Sequence, residues 1–140
     1  MDAKITWSKR LSFIGEADTG FSVPLGANPQ VGGDNDGFRP MELIAIGIAG
    51  CTAMDVISIL QKKRQNVTAF EVQLRSQQAQ DHPRVFTQIK IEYLISGHDI
   101  DETGVQRAIE LSENKYCPAQ AMFNEILPIK LSYKILPAEQ

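Results

Sequence analysis

Apolar and polar residues alternate with a period of two at the start of the chain, where Ile5 and Trp7, Leu11 and Phe13, and Phe21 and Val23 stand between polar neighbours. This is the pattern of half-buried strands, and Asp18-Thr19-Gly20 supplies a turn between the last two. From Gly26 to Gly37 the chain collects Gly, Asn, Asp and Pro with few large apolar side chains, which predicts a loop without strand or helix.

A helix is predicted from roughly Pro40 to Arg64. Pro40 suits a first helical turn because its missing N–H would be unpaired there, and Glu42 meets the positive end of the dipole. Lys62, Lys63 and Arg64 suit the negative end. Leu43, Ile44, Ile46, Ile48, Met54, Val56, Ile57, Ile59 and Leu60 cover almost the whole circumference, so the helix is expected to be buried on all sides. One 140-residue unit has little material with which to wrap such a helix. Gly47, Ala49, Gly50 and Ala53 allow another backbone to come close. A homodimer in which two copies of the helix pack together or under each other's sheet answers the shortage; a monomer with a sheet folded round one helix is the alternative.

Two strand patterns follow. Phe70, Val72 and Leu74 form the first, and Thr87, Ile89, Ile91, Tyr93 and Ile95 the second, with a hairpin loop at Asp81-His82-Pro83. Asp99 or Asp101 can cap a helix carrying Val105, Ala108, Ile109 and Ser112 on one face. A short helix starts at Cys117-Pro118, with Ala121, Met122 and Ile126 at helical spacing up to Pro128. Ile129, Leu131, Tyr133 and Ile135 then mark a half-buried last strand. The order βββ, long helix, ββ, two helices, β indicates an α+β protein with a largely antiparallel sheet.

Composition narrows the function. A net charge of -3 and a pI near 5.4 argue against a nucleic-acid partner, which would call for an excess of Lys and Arg. The longest uncharged apolar stretch, Leu43 to Met54, is shorter than the roughly 20 residues of a membrane span, so no membrane partner is expected. The N-terminus shows no signal-peptide pattern, so a cytoplasmic location is expected. His82 and His98 stand alone in loops, and no glycine-rich phosphate loop follows a strand, so neither a metal nor a nucleotide cofactor is indicated.

In a reducing compartment the two cysteines are free core thiols, metal ligands or redox groups. Cys117 directly precedes Pro118; as the N-cap it would face unpaired N–H groups that favour a thiolate, with Lys115 and Tyr116 nearby. Cys51 lies mid-helix among small residues, where a thiol is either a small core hydrophobe or needs an activator. Asp55, at i+4, is on its face, but a carboxylate disfavours a neighbouring thiolate, so Asp55 is expected to cap or to pair with a cation. Glu42 is nine residues upstream, roughly 13 Å along a straight helix.

The run Pro40-Met41-Glu42-Leu43-Ile44-Ala45-Ile46-Gly47-Ile48-Ala49-Gly50-Cys51, continued by Thr52-Ala53-Met54-Asp55-Val56 and later by Lys115-Tyr116-Cys117-Pro118, resembles the OsmC/Ohr family, most closely its YhfA-like branch. The resemblance covers nearly the whole chain. It implies an OsmC-like fold, one domain over residues 1–140, with mostly antiparallel sheets around a long buried central helix in an intertwined homodimer, and residues 1–38 as a strand-rich arm swapped between subunits.

The resemblance also implies a thiol-dependent, peroxiredoxin-like reductase of organic hydroperoxides. Cys51 would be the peroxidatic cysteine, Cys117 the resolving one, and a small thiol or lipoyl group the reductant. The family's catalytic glutamate stands at the start of the long helix, ten places before the cysteine, where this chain has Met41, with Glu42 one place later as is also common in the family. The family's activating arginine comes from a loop, and Arg10 in the arm and Arg39 in the loop stand in no matching motif. Ile48, Met54 and Phe123 would favour an apolar substrate. The rival readings are a non-catalytic protein that binds a hydrophobic ligand and a structural dimer with unreactive thiols.

Overall fold

The computed structural model describes residues 1–139, which divide into two compact units, residues 1–44 and 45–139. In the first, β1 (Ala3–Lys9), β2 (Ser12–Ala17) and β3 (Ser22–Leu25) form an antiparallel sheet in chain order, with Trp7 opposite Phe13 and Gly15 opposite both Ile5 and Val23. The tight turn between β1 and β2 places Arg10 at φ 48°, where its carbonyl accepts the Trp7 indole N–H at 2.8 Å.

The loop after β3 is folded on itself: Gly33 stands so close to the Ala27 carbonyl that any side chain would collide with it. Pro29–Val31 forms one 3-10 turn there, which corrects the expectation of a segment without helix. The Asn28 side chain accepts from Gln30 N at 2.8 Å, and Pro29 presets the turn's first φ.

The long helix α1 (Pro40–Lys62) begins in the first unit and continues through the second. It ends two residues before the expected position because Arg64 adopts the left-handed conformation, φ 57°, and Gln65 N donates to the Leu60 carbonyl at 3.0 Å.

The second unit is built on a sheet in the order β4-β5-β6. β4 (Asn66–Gln78) pairs antiparallel with β5 (Phe86–His98), and β5 pairs parallel with β6 (Ile129–Pro137). Phe86, Ile89, Ile91, Tyr93 and Ile95 of the central strand are buried, and full burial of each large apolar side chain contributes about 1.5–3 kcal/mol. α2 (Glu102–Leu111) buries Gly104, Val105, Ala108 and Ile109; of the two candidate caps it uses Asp101, whose carboxylate accepts from Thr103 N at 3.2 Å. A π-turn, Ser112–Tyr116, leads into α3 (Pro118–Asn124).

Only one stripe of α1 is buried, namely Ile48, Thr52, Val56 and Leu60 at intervals of four. Ile46 and Met54 are 52% and 74% exposed, so all-round burial is not reached within one chain, whose second sheet has only three strands. By length and composition α1 could cross a membrane. Its buried stripe instead carries a threonine hydrogen-bonded to β5 and to the π-turn, the behaviour of a core helix.

Candidate active site

Cys117 takes the N-cap position of α3, with φ -82° and ψ 104°, and its sulfur accepts from Gln120 N at 3.4 Å. The position is the expected one, but the electrostatic outcome is reversed. The thiol is 2% exposed, and burial pushes its pKa from 9.0 to about 11. The N–H groups of Gln120 and Ala119 act in the opposite direction without overcoming desolvation, while the neighbouring Cys51 raises the value further by hydrogen bonding and by charge. Lys115 does not assist: its ammonium lies over the Tyr116 ring, 5.3 Å from the centroid, and both residues are exposed.

Cys51 is half-buried on α1 and within reach of the Cys117 thiol, so the fold brings together two cysteines that are far apart in the chain. Of the apolar neighbours expected to line a substrate site, Ile48 is committed to the core and Met54 faces outward, leaving Phe123 at intermediate exposure.

Beside the pair runs a buried hydrogen-bond chain. Thr52 Oγ1 lies 2.7 Å from the Tyr93 hydroxyl and 2.8 Å from Ser112 Oγ, and Ser112 Oγ donates to Asp55 Oδ2 at 3.0 Å. Among the described residues Asp55 neither caps nor pairs with a cation; it accepts from a serine brought in by the π-turn. Such turns recur at functional sites because the wider winding re-aims side chains. Burial pushes the Tyr93 phenol from 10.0 up to about 12, against the hydrogen bond with Thr52, and a charged Cys117 would raise it further.

Gln120 is fully buried, and neither its amide nitrogen nor its amide oxygen meets a partner at hydrogen-bonding geometry. The group stands near enough to Tyr93 to favour the phenolate slightly without closing a good bond. α3 thus presents Gln120 to the interior, while Met122 and Ile126, expected on its apolar face, are 65% and 74% exposed. Helical spacing alone missed Gln120; its place at the third position after a cysteine N-cap is the signal that could have found it.

Within the first unit, Glu42 Oε1 accepts from Arg39 N at 2.8 Å, one half of a capping box at the start of α1. The Arg39 guanidinium donates to the Gly37 carbonyl at 3.1 Å and to Asn35 Oδ1 at 2.6 Å. Arg39 and Glu42 line a cavity of about 470 Å³ together with Pro24, Asn35, Gly37 and Phe38. Arg10 is committed elsewhere, to the Gly32 carbonyl at 2.7 Å and to Asp34 at 3.6 Å.

These features describe a thiol-bearing α+β protein in which a long helix and a Cys-Pro helix start each supply one cysteine. Residues 33–132 match the family model described as OsmC-like protein, and the chain belongs to that family. It is 37% identical over 138 residues to Protein YhfA of Escherichia coli (strain K12), covering 99% of this chain and the whole of that protein. Among solved structures, a hypothetical protein from Aquifex aeolicus VF5 superposes with a TM-score of 0.85 at 28% identity, over 99% of this chain and 97% of the other. An organic hydroperoxide resistance protein from Elizabethkingia anophelis shares the fold with a TM-score of 0.71 at 18% identity, over 95% and 94% of the two chains.

Proposed function

We propose that the protein is a cytoplasmic, homodimeric, thiol-dependent reductase of organic hydroperoxides, with Cys51 as the peroxidatic and Cys117 as the resolving cysteine. The observation that carries the proposal is the juxtaposition of two free thiols in unequal settings: Cys51 partly open, and Cys117 buried and held protonated at neutral pH. A protonated, enclosed thiol is a poor first nucleophile and a suitable second one. The Cys51 thiolate attacks the outer oxygen of the hydroperoxide, the O–O bond breaks, an alcohol leaves, and Cys51 becomes a sulfenic acid. Cys117 then displaces that oxygen as water to form a disulfide, which a small dithiol or lipoyl group reduces.

Glu42 is given a catalytic role from the family resemblance, which implies a carboxylate and a guanidinium near the cysteine; it lines a cavity with Arg39, whose guanidinium donates to Gly37 and Asn35. The homodimer is supported by the apolar side chains each unit exposes: Ile5, Trp7 and Phe21 in the first, Ile46, Met54, Met122 and Ile126 in the second. Reaction names carried by fold relatives, such as the Elizabethkingia hydroperoxide resistance protein, agree with this reading. Peroxide consumption in the presence of a dithiol tests it: the wild type should consume an alkyl hydroperoxide and Cys51→Ser should not, whereas equal rates would refute the assignment.

A second reading has one observation in its favour. A cavity of about 330 Å³ in the first unit is bordered by Ile5, Phe21, Val23, Leu25 and Leu43, and would suit a non-catalytic hydrophobic ligand. Ligand binding undiminished in Cys51→Ser, together with no peroxide consumption by the wild type, would select it.

A further inference from the structure

The two helices that carry the cysteines are anchored unequally. α1 runs for 23 residues, and its Ile48, Thr52, Val56 and Leu60 are buried, with Thr52 bonded to Tyr93 and to Ser112. α3 has 7 residues, and isolated helices shorter than roughly 12–15 residues are marginal in water, so packing has to hold it. Gln120 alone among its described residues is buried; Ala119 and Phe123 are half-buried, and Met122 is exposed. Both amide atoms of Gln120 are enclosed without a partner among the described residues, so the contact that docks α3 carries an unrecovered desolvation penalty. At the N-terminus of α3 the side-chain cap is the Cys117 sulfur, which accepts from Gln120 N at 3.4 Å, and thiol sulfur is a weak acceptor.

The capping atom is also the atom that a disulfide with Cys51 needs. Both thiols are free here, and a covalent S–S bond is shorter than any contact between unbonded sulfurs, so closure draws one sulfur toward the other. The buried stripe of α1 fixes Cys51. The end that yields is Cys117, whose sulfur is pulled away from the Gln120 N–H.

We propose that closing the Cys51–Cys117 disulfide uncaps α3 and releases residues 118–126 from the body of the second unit, with the orphaned Gln120 amide setting how readily the helix lets go. This deepens the peroxidase reading and takes the two cysteines to work as one redox pair. In that cycle the Cys117 sulfur bonds to the Cys51 sulfur as the S–O bond breaks, and the thiol proton leaves with the oxygen as water. Gln120 is a positioning residue: in the docked helix its amide is dry, and in the released helix water supplies the missing hydrogen bonds. Release also serves the return step. Cys117 is 2% exposed when docked, and burial keeps its thiol from ionising, which makes it a poor leaving group for a reductant that attacks Cys51. With α3 released, the disulfide lies open to a small dithiol and Cys117 departs as an ordinary solvated thiolate. Reduction then restores the cap and docks the helix again.

Amide hydrogen exchange on the full chain tests the release, comparing the reduced protein with the protein oxidised by diamide, which takes up the two thiol hydrogens and involves no peroxide. Intact mass first shows whether the intramolecular disulfide has formed. The amides of residues 119–126 should exchange about tenfold faster or more in the disulfide form, the scale of one lost cap, while those of α2 stay unchanged. Gln120→Leu gives a second readout that follows redox state. Leucine favours the docked helix, so in a glutathione redox buffer the ratio of reduced to disulfide protein should be about tenfold higher than in the wild type. Equal exchange of residues 119–126 in the two forms, or a Gln120→Leu ratio equal to or below that of the wild type, would overturn the release while leaving the cysteine pair intact. Failure of diamide to give an intramolecular disulfide would overturn the pair itself, and with it the release.

Discussion

Burial holds the Cys117 thiol in its protonated form, and Cys51 on α1 is near enough to reinforce that form by hydrogen bonding and by charge. The pair is therefore asymmetric before any oxidant arrives. In the proposed reaction the more accessible sulfur would meet the substrate first, and the enclosed sulfur would be kept from competing.

That asymmetry predicts unequal consequences of substitution. Cys51→Ser should abolish hydroperoxide consumption, whereas Cys117→Ser should complete a single turnover and stop with a sulfenic acid on Cys51. A dimedone adduct located by peptide mass on Cys51 would confirm the order, and an adduct on Cys117 in Cys51→Ser would reverse it.

The raised pKa of Cys117 predicts a loss of stability in alkali. Folding favours the neutral thiol, so the stabilisation it brings is complete below about pH 9, the ordinary thiol value, and is lost as pH rises through about 11. Tyr93, pushed up to about 12, adds a loss of the same sign that starts above its ordinary value of 10.0. Between pH 8 and pH 11, in the sense of that linkage, the melting temperature of the wild type should fall more steeply than that of Cys117→Ala. Parallel curves would contradict the burial argument.

Thr52 is the node through which both buried hydroxyls are satisfied. Thr52→Val keeps the shape and strands the Tyr93 donor, which should cost about 1–3 kcal/mol in denaturant unfolding. An unchanged midpoint would mean that the chain contributes nothing to the fold.

Gln120 predicts the opposite sign. Its carboxamide is enclosed without partners, so Gln120→Leu removes two unsatisfied polar atoms at similar volume and should stabilise by up to about 1–3 kcal/mol. Destabilisation of the same size would show that the amide is bonded in solution.

Glu42→Gln keeps an acceptor for Arg39 N and so preserves the cap, but removes the charge from the cavity shared with Arg39. If Glu42 is catalytic, the oxidation of Cys51 should slow about tenfold or more while stability stays within about 0.5 kcal/mol. An unaltered rate would leave Glu42 as a helix cap alone.

The elements were legible in the sequence because local periodicity dictates them: the alternation in β5, the Pro40 helix start, the Asp101 cap and the cysteine at the N-cap of α3 all depend on neighbours in the chain. What periodicity could not show was set by long-range packing. The pKa of Cys117 depends on how deeply the cap is buried, and that depth outweighed the helix N-terminus. Ser112 reaches Asp55 and Thr52 across 57 and 60 positions through a π-turn that leaves no periodic signature, and Gln120 faces inward on a helix whose apolar residues face out. The pairing of the cysteines came from the family resemblance, since nothing local links position 51 with position 117.

The most direct test of the central claim is a thiol count with intact mass after the reduced protein meets one equivalent of an alkyl hydroperoxide. The account predicts that both thiols disappear into one intramolecular Cys51–Cys117 disulfide with the chain otherwise unmodified. Survival of both thiols with the hydroperoxide unconsumed would contradict it.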